Sequence, residues 1–216
     1  MNTLLILIAI LIGVVVSLSY TIYNKGSFLD NLTWRRSVKH FSPGSVDTEP
    51  IKQAIINSPS SFGLQPYTVI VVENQDIKKK LREVCFDQAQ IEECSSLFVF
   101  CAFRDVESRI EEYLTRTKAE HLRPIMARFF DNLPDKLAWC KHQAYIALGF
   151  GLAAAAEKKI TTCPMEGFIP GKVAEILGLD DNLVPSVLLT VGKEGDNSKL
   201  LPRFRFNRDE LITELQ

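Results

Sequence analysis

The chain has 216 residues, 46% of them hydrophobic and 24% charged, the balance of a globular protein with one sizeable core and room for a short appendage. A formal net charge of -1 excludes a global polycationic surface for nucleic acid, so any anion site must be local. Cys85, Cys94, Cys101, Cys140 and Cys163 are odd in number and form no C-x-x-C pair, and the three histidines lack i,i+3 or i,i+4 partners. That pattern offers no zinc cage and fits buried, reduced thiols.

Residues 3–23 read TLLILIAILIGVVVSLSYTIY, with no charged side chain before Lys25. About 20 helical residues span the roughly 30 Å of a bilayer core. A secretory signal would carry a basic start and a shorter apolar centre, although Ser17-Leu18-Ser19 offers a cleavage point. The expectation is an uncleaved single-pass anchor over residues 1–24, a linker over 25–31 and a domain over 32–216. Lys25, Arg35, Arg36 and Lys39 all follow the apolar run, and the positive-inside rule then puts the domain in the cytoplasm.

After the linker, Asp30 or Thr33 can cap a short helix carrying Arg35 and Arg36. SPGSVD is a turn, and Asp47 can cap a helix through TEPIKQAIINS. PSSFGLQP is a loop, punctuated by Pro59, Gly63 and Pro66. YTVIVVE and SSLFVFCAF read as buried strands, separated by the amphipathic helix QDIKKKLREVCF. Residues 105–130 are charged and helical with a break at Pro124. KLAWCKHQAYIALGFGLAAAAEKKI is a long helix whose apolar centre, about 13 residues, is too short to span a bilayer and suits a core. PMEGF is a loop, PGKVAEILGL a helix ending at Gly178, PSVLLTVG a third strand, and LPRFRF extended. Helices between non-consecutive strands make the class α+β or α/β.

Two stretches have chemistry in reach. WRRSVKHF gathers two guanidinium groups, a hydroxyl and an ammonium, enough to hold a phosphate; the same cations also serve as an ordinary basic flank. Arg203 and Arg205 alternate in LPRFRF, so an extended segment puts both on one face. They are either solvated surface arginines or a pair that an anion holds together. The hydroxyls and glycine of SPSSFGLQP fit a simple turn or a loop that donates to a flat polar ligand. No P-loop, G-x-G-x-x-G or G-x-S-x-G stretch occurs, and no side chain is singled out as a general acid, base or nucleophile.

The order RRSVKHF, SPSSFGLQPY, DQAQI, PMEGF, GKVAEILGL before PSVLLTVG, and LPRFRF resembles the FMN-dependent nitroreductase family, most closely its oxygen-insensitive NAD(P)H nitroreductase and dihydropteridine reductase branch. The resemblance covers about residues 32–205. It implies an α+β fold around a mainly antiparallel sheet flanked by helices, an intertwined homodimer, and one FMN in each of two interface clefts. It implies further that Arg35, Arg36, Ser37, Arg203 and Arg205 meet the FMN phosphate and ribityl chain, and that Lys39 meets the N1/O2 edge of the ring. Pro59, Ser60, Ser61 and Gly63 would reach across from the second subunit. Pro164, Glu166 and Gly167 would lie along the ring with a main-chain N–H near N5. Asp87 and Gln90 stand where the family usually has asparagine and lysine or glutamine. An ionised aspartate cannot donate to the pyrimidine edge, and Gln88 is the alternative donor there. The activity implied is ping-pong reduction of nitroaromatics, quinones or related small acceptors by NADH or NADPH through flavin N5, with residues 105–130 as a substrate-selecting lid. A dehalogenase or enone reductase on the same fold, a tethered flavin-retaining protein and a flavin-free interaction module are the competing readings.

Overall fold

The computed structural model describes residues 10–14, 27–196 and 200–215. The single-pass membrane localisation expected from residues 1–24 is overturned: no helix among the described residues is long and apolar enough to cross a membrane. The transmembrane helix and the membrane as a partner have no support among the described residues. Residues 10–14 are helical and exposed; the rest of that segment lies outside the described residues.

The elements run α1 (Phe28–Trp34), β1 (Phe41–Ser42), α2 (Glu49–Ile56), β2 (Tyr67–Val72), α3 (Gln75–Val84), α4 (Gln90–Glu93), β3 (Ser96–Phe103), α5 (Glu107–Thr117), α6 (Arg123–Asp131), α7 (Lys136–Glu157), β4 (Thr161–Met165), α8 (Pro170–Leu177), β5 (Leu183–Glu194) and α9 (Arg208–Leu211). Strand β5 is central. It pairs with β3 on one side and with β4 and β1, end to end, on the other, while β2 closes the far edge against β3. All these pairings are antiparallel, the α+β sheet that the sequence implied. Register slips between Phe100 and Cys101, where Pro185 stands opposite Cys101 and has no N–H to give the ladder.

Core packing explains the small residues of α7. Ala144, Ala147 and Ala155 are fully buried with Ile51, Phe98 and Phe100. A Cβ on Gly151 would lie 3.3 Å from Ile55, so a larger residue there would push α2 and its isoleucines outward. Each fully buried Phe or Ile contributes roughly 1.5–3 kcal/mol. All five cysteines are free and buried. Burial alone pushes the thiols of Cys85 and Cys101 up to about 12.

Several local expectations shift. Ser27 caps α1 in place of Asp30 or Thr33: its Oγ accepts from the Asp30 N–H at 3.2 Å, and the Asp30 carboxylate accepts from the Ser27 N–H at 2.9 Å, a reciprocal capping box. Arg35 ends this helix and Arg36 follows it. Strand β2 is an edge strand, half-buried from Thr68 to Val71. The break in the charged helical stretch falls at Lys118, in a left-handed conformation with φ 55°, while Pro124 sits in the first turn of α6, where its missing N–H costs nothing. Strand β4 reaches into PMEGF, whose first two residues continue the sheet.

Candidate cofactor site

The two ends of the domain meet at the free edge of β4. Ser37 forms a parallel bridge to Thr162, and the Val38 N–H donates to the Thr162 carbonyl at 3.1 Å. The C-terminal segment is held against the same place: Arg36 donates to the Leu201 carbonyl and Arg203 to that of Thr33. Between them lies a cavity of about 450 Å³ lined by Arg35, Arg36, Ser37, Lys39, Arg203 and Arg205, with Leu200 to Pro202 and Phe204 as its apolar part. Among the described residues no acidic side chain lines it.

Its electrostatics are unbalanced. Arg35 Nη1 is buried without a hydrogen-bond partner. Burial first, then the charges of Arg205 and Arg203, hold the Arg35 guanidinium below its ordinary value. An arginine crowded by like charges in a partly desolvated cavity calls for an anion, and a phosphate's oxygens match the guanidinium fork. Burial raises the Cys163 thiol, opposed by the charges of Lys39 and Arg35; β4 therefore runs directly beneath these cations.

From Thr162, Glu166 is four residues on, roughly 13 Å along an extended chain. Here the segment 164–167 is tied from three sides. Tyr145 on α7 donates its hydroxyl to Glu166 Oε1. Gln88 Nε2 donates to the Gly167 carbonyl at 2.7 Å and to that of Cys85 at 2.9 Å, while its Oε1 accepts from Gln90 Nε2 at 3.1 Å. A Cβ on Gly167 would stand 2.8 Å from Gln88 Nε2, so a larger residue there would displace the end of the Gln88 side chain that holds this turn. The N–H groups of Phe168 and Ile169 donate to the carbonyls of Glu166 and Val84, both at 3.0 Å. Pro164 sits in β4 opposite Leu189.

The remaining candidates lie elsewhere. Asp87, with φ 52°, accepts from Arg82 Nε at 2.7 Å, and the Gln88 amide group is already committed to Gly167 and Cys85. In the loop of Pro59, Ser60, Ser61 and Gly63, the Ser61 N–H donates to Gln143 Oε1 at 2.9 Å and Ser60 Oγ accepts from the Gln65 N–H at 2.8 Å. Gly63 has φ 71°. Phe62 packs on Phe129 and Phe130 of α6; Phe130 is a core residue and Phe129 half-exposed. Among the described residues no hydrogen bond joins this loop to the arginine cavity. Gln88, read above as an alternative flavin donor, instead holds the Gly167 backbone; Gln143, which accepts from the Ser61 N–H, and Tyr145, which holds the Glu166 carboxylate, were not singled out, and their visible signal was two polar side chains early in the long helix α7.

Fold and cavity together define an antiparallel α+β protein with an anion-receptive cleft between its two chain ends. The chain matches the Nitroreductase family over residues 32–193, three-quarters of its length, and belongs to that family. A Staphylococcus haemolyticus protein whose name assigns it to the NAD(P)H nitroreductases is 31% identical over 80% of this chain and 91% of its own. A Thermus thermophilus protein named NADH dehydrogenase is 30% identical over 78% of this chain and 88% of its own. Among solved structures, a Bacillus subtilis nitroreductase superposes with a TM-score of 0.76 at 23% identity, covering 87% of this chain and 98% of its own. An Exiguobacterium sibiricum nitroreductase solved in complex with FMN superposes with a TM-score of 0.72 at 19% identity, covering 88% and 98%.

Proposed function

We propose that the protein reduces nitroaromatic, quinone or related small acceptors in a ping-pong cycle. The enzyme class and cofactors follow from the family: an NAD(P)H-dependent oxidoreductase using FMN, with NADH or NADPH as reductant. The observation that carries the reading is the cavity lined by Arg35, Arg36, Lys39, Arg203 and Arg205, in which Arg35 also keeps a buried Nη1 without a partner among the described residues. FMN fits this chemistry, since it is a phosphate-bearing ligand with a flat ring, and the chain offers cations beside the start of β4 and a pinned turn just past its end.

Bound FMN supplies the hydride acceptance and donation. The chain's own residues bind and orient. Arg35, Arg36, Ser37, Arg203 and Arg205 hold the phosphate and ribityl chain, the guanidinium forks matching phosphate oxygens. Lys39 places a positive charge at the ring's N1/O2 edge and favours extra electron density there. Pro164, Glu166 and Gly167 line the ring, and Gln90 steadies Gln88 behind them. The loop Pro59, Ser60, Ser61 and Gly63 serves the site of a second copy, which agrees with its lying apart from the cavity of its own chain. Homodimerisation also has support in the apolar surface of α7, where Tyr145, Ile146 and Phe150 are 37%, 39% and 44% exposed. Asp87 reaches the cofactor only by releasing Arg82.

The test is direct. Full-length protein purified with FMN should be yellow, dimeric, and bleached by NADH or NADPH, with the colour restored by a quinone. A colourless monomer that takes up no added FMN overturns the reading.

A further inference from the structure

The pair formed by Tyr145 and Glu166 has no part in holding the phosphate. Glu166 is exposed, and among the described residues no cation pairs with it; its partner is the neutral Tyr145 hydroxyl. Burial, and next the bond to Glu166, raise the Tyr145 hydroxyl above its ordinary value, so it stays a donor throughout the working pH range. A carboxylate fixed by a neutral donor is oriented without being neutralised. It keeps its charge available to a ring stacked beside Gly167, where the function proposed above puts the flavin.

We infer that Tyr145 is a positioning residue that aims Glu166 at the nicotinamide, giving the cleft a preference for a cationic pyridinium ring. The inference rests on the function proposed above. When the dihydronicotinamide gives its hydride, one proton and two electrons, to the flavin, its ring is left as a pyridinium cation. A carboxylate held nearby favours that developing charge and adds nothing for a neutral ring.

The experiment compares two probes on the FMN-loaded protein, the N-methylnicotinamide cation and neutral nicotinamide, by titrating the flavin absorbance. Wild type should favour the cation about tenfold. Glu166→Gln should bring the ratio to about one, and Tyr145→Phe to about threefold, because the carboxylate is kept but no longer held. The double variant should match Glu166→Gln alone, the signature of one shared pathway. Flavin bleaching by NADH should slow in both single variants, with reoxidation by quinone slowed less. Equal weakening of both probes, or an unchanged ratio in both variants, overturns the inference, since damage to the fold moves the two probes together. A yellow, NADH-reducible wild type with no preference sinks this inference alone; a protein that takes up no FMN sinks it together with the proposed function.

Discussion

Arg35 and Arg123 are the same side chain in opposite circumstances. Arg123 donates through Nε and Nη2 to Glu120 and through Nη1 and Nη2 to Glu111, and these partners raise its guanidinium above the ordinary value. Arg35 has like charges for neighbours and a buried nitrogen without a partner. One charge is neutralised within its own fold; the other is left incomplete. An unsatisfied buried donor costs roughly 1–3 kcal/mol, a cost that a bound phosphate would remove. The difference separates Arg123, whose guanidinium is filled by carboxylates, from Arg35, whose guanidinium faces other cations.

The sharpest way to break this contrast is Arg35→Met. Losing one charge-assisted pair to phosphate, worth about 1.5–3 kcal/mol, should weaken FMN binding about 100-fold by fluorescence titration. The same change should raise the Tm of the flavin-free protein, because it removes the orphaned donor while keeping a similar length of side chain. A lower Tm with unchanged FMN affinity would make Arg35 a structural residue. Arg203→Ala and Arg205→Ala should each weaken FMN by about tenfold, with riboflavin, which lacks the phosphate, scarcely affected. If riboflavin falls in parallel, these arginines do not read the phosphate. Inorganic phosphate alone should raise the Tm of the flavin-free wild type by roughly 2–4 °C at saturating concentration. Arg35→Met should abolish that rise.

The fold was legible where local pattern and tertiary role agree. Strand β3 is buried along almost its whole length, and SSLFVFCAF has no polar alternation to mislead. The helix α8 ends at Gly178 in the left-handed conformation, φ 61°, as its sequence announces. Strand β4 was hidden because it is short, contains Pro164, and owes its existence to pairing with β5, a partner over twenty residues away in sequence. The start of α1 was misjudged because Asp30 serves in a capping box from the N3 position, and Ser27 had been placed in the linker. At the site, RRSVKHF and LPRFRF each had two meanings until the structure brought both to one cavity. Gln88 was named, but as a donor to the flavin and not to the Gly167 backbone, and Tyr145 was less visible still, since it acts by holding the side chain of another residue and a single chain of letters does not display such long-range bonds. The membrane localisation is a different case: hydropathy measures local apolarity, no helix among the described residues bears a span, and most of residues 1–24 lie outside the described residues.

The smallest expected effect is also the control on the whole contrast. Arg123→Ala removes two ion pairs at once, and a count of salt bridges would rank it above any change in the arginine cavity. Both carboxylate partners are mainly solvent-exposed, so water replaces most of what is lost. FMN affinity should therefore stay within about twofold of wild type and Tm should fall by about 2 °C or less. Raising the salt concentration should shrink even that difference, because screening acts on exposed pairs first. A large loss of flavin from Arg123→Ala, measured beside Arg35→Met, would mean that the ion-paired helices α5 and α6 shape the cleft, and that neutralised and waiting arginines are not separate classes in this protein.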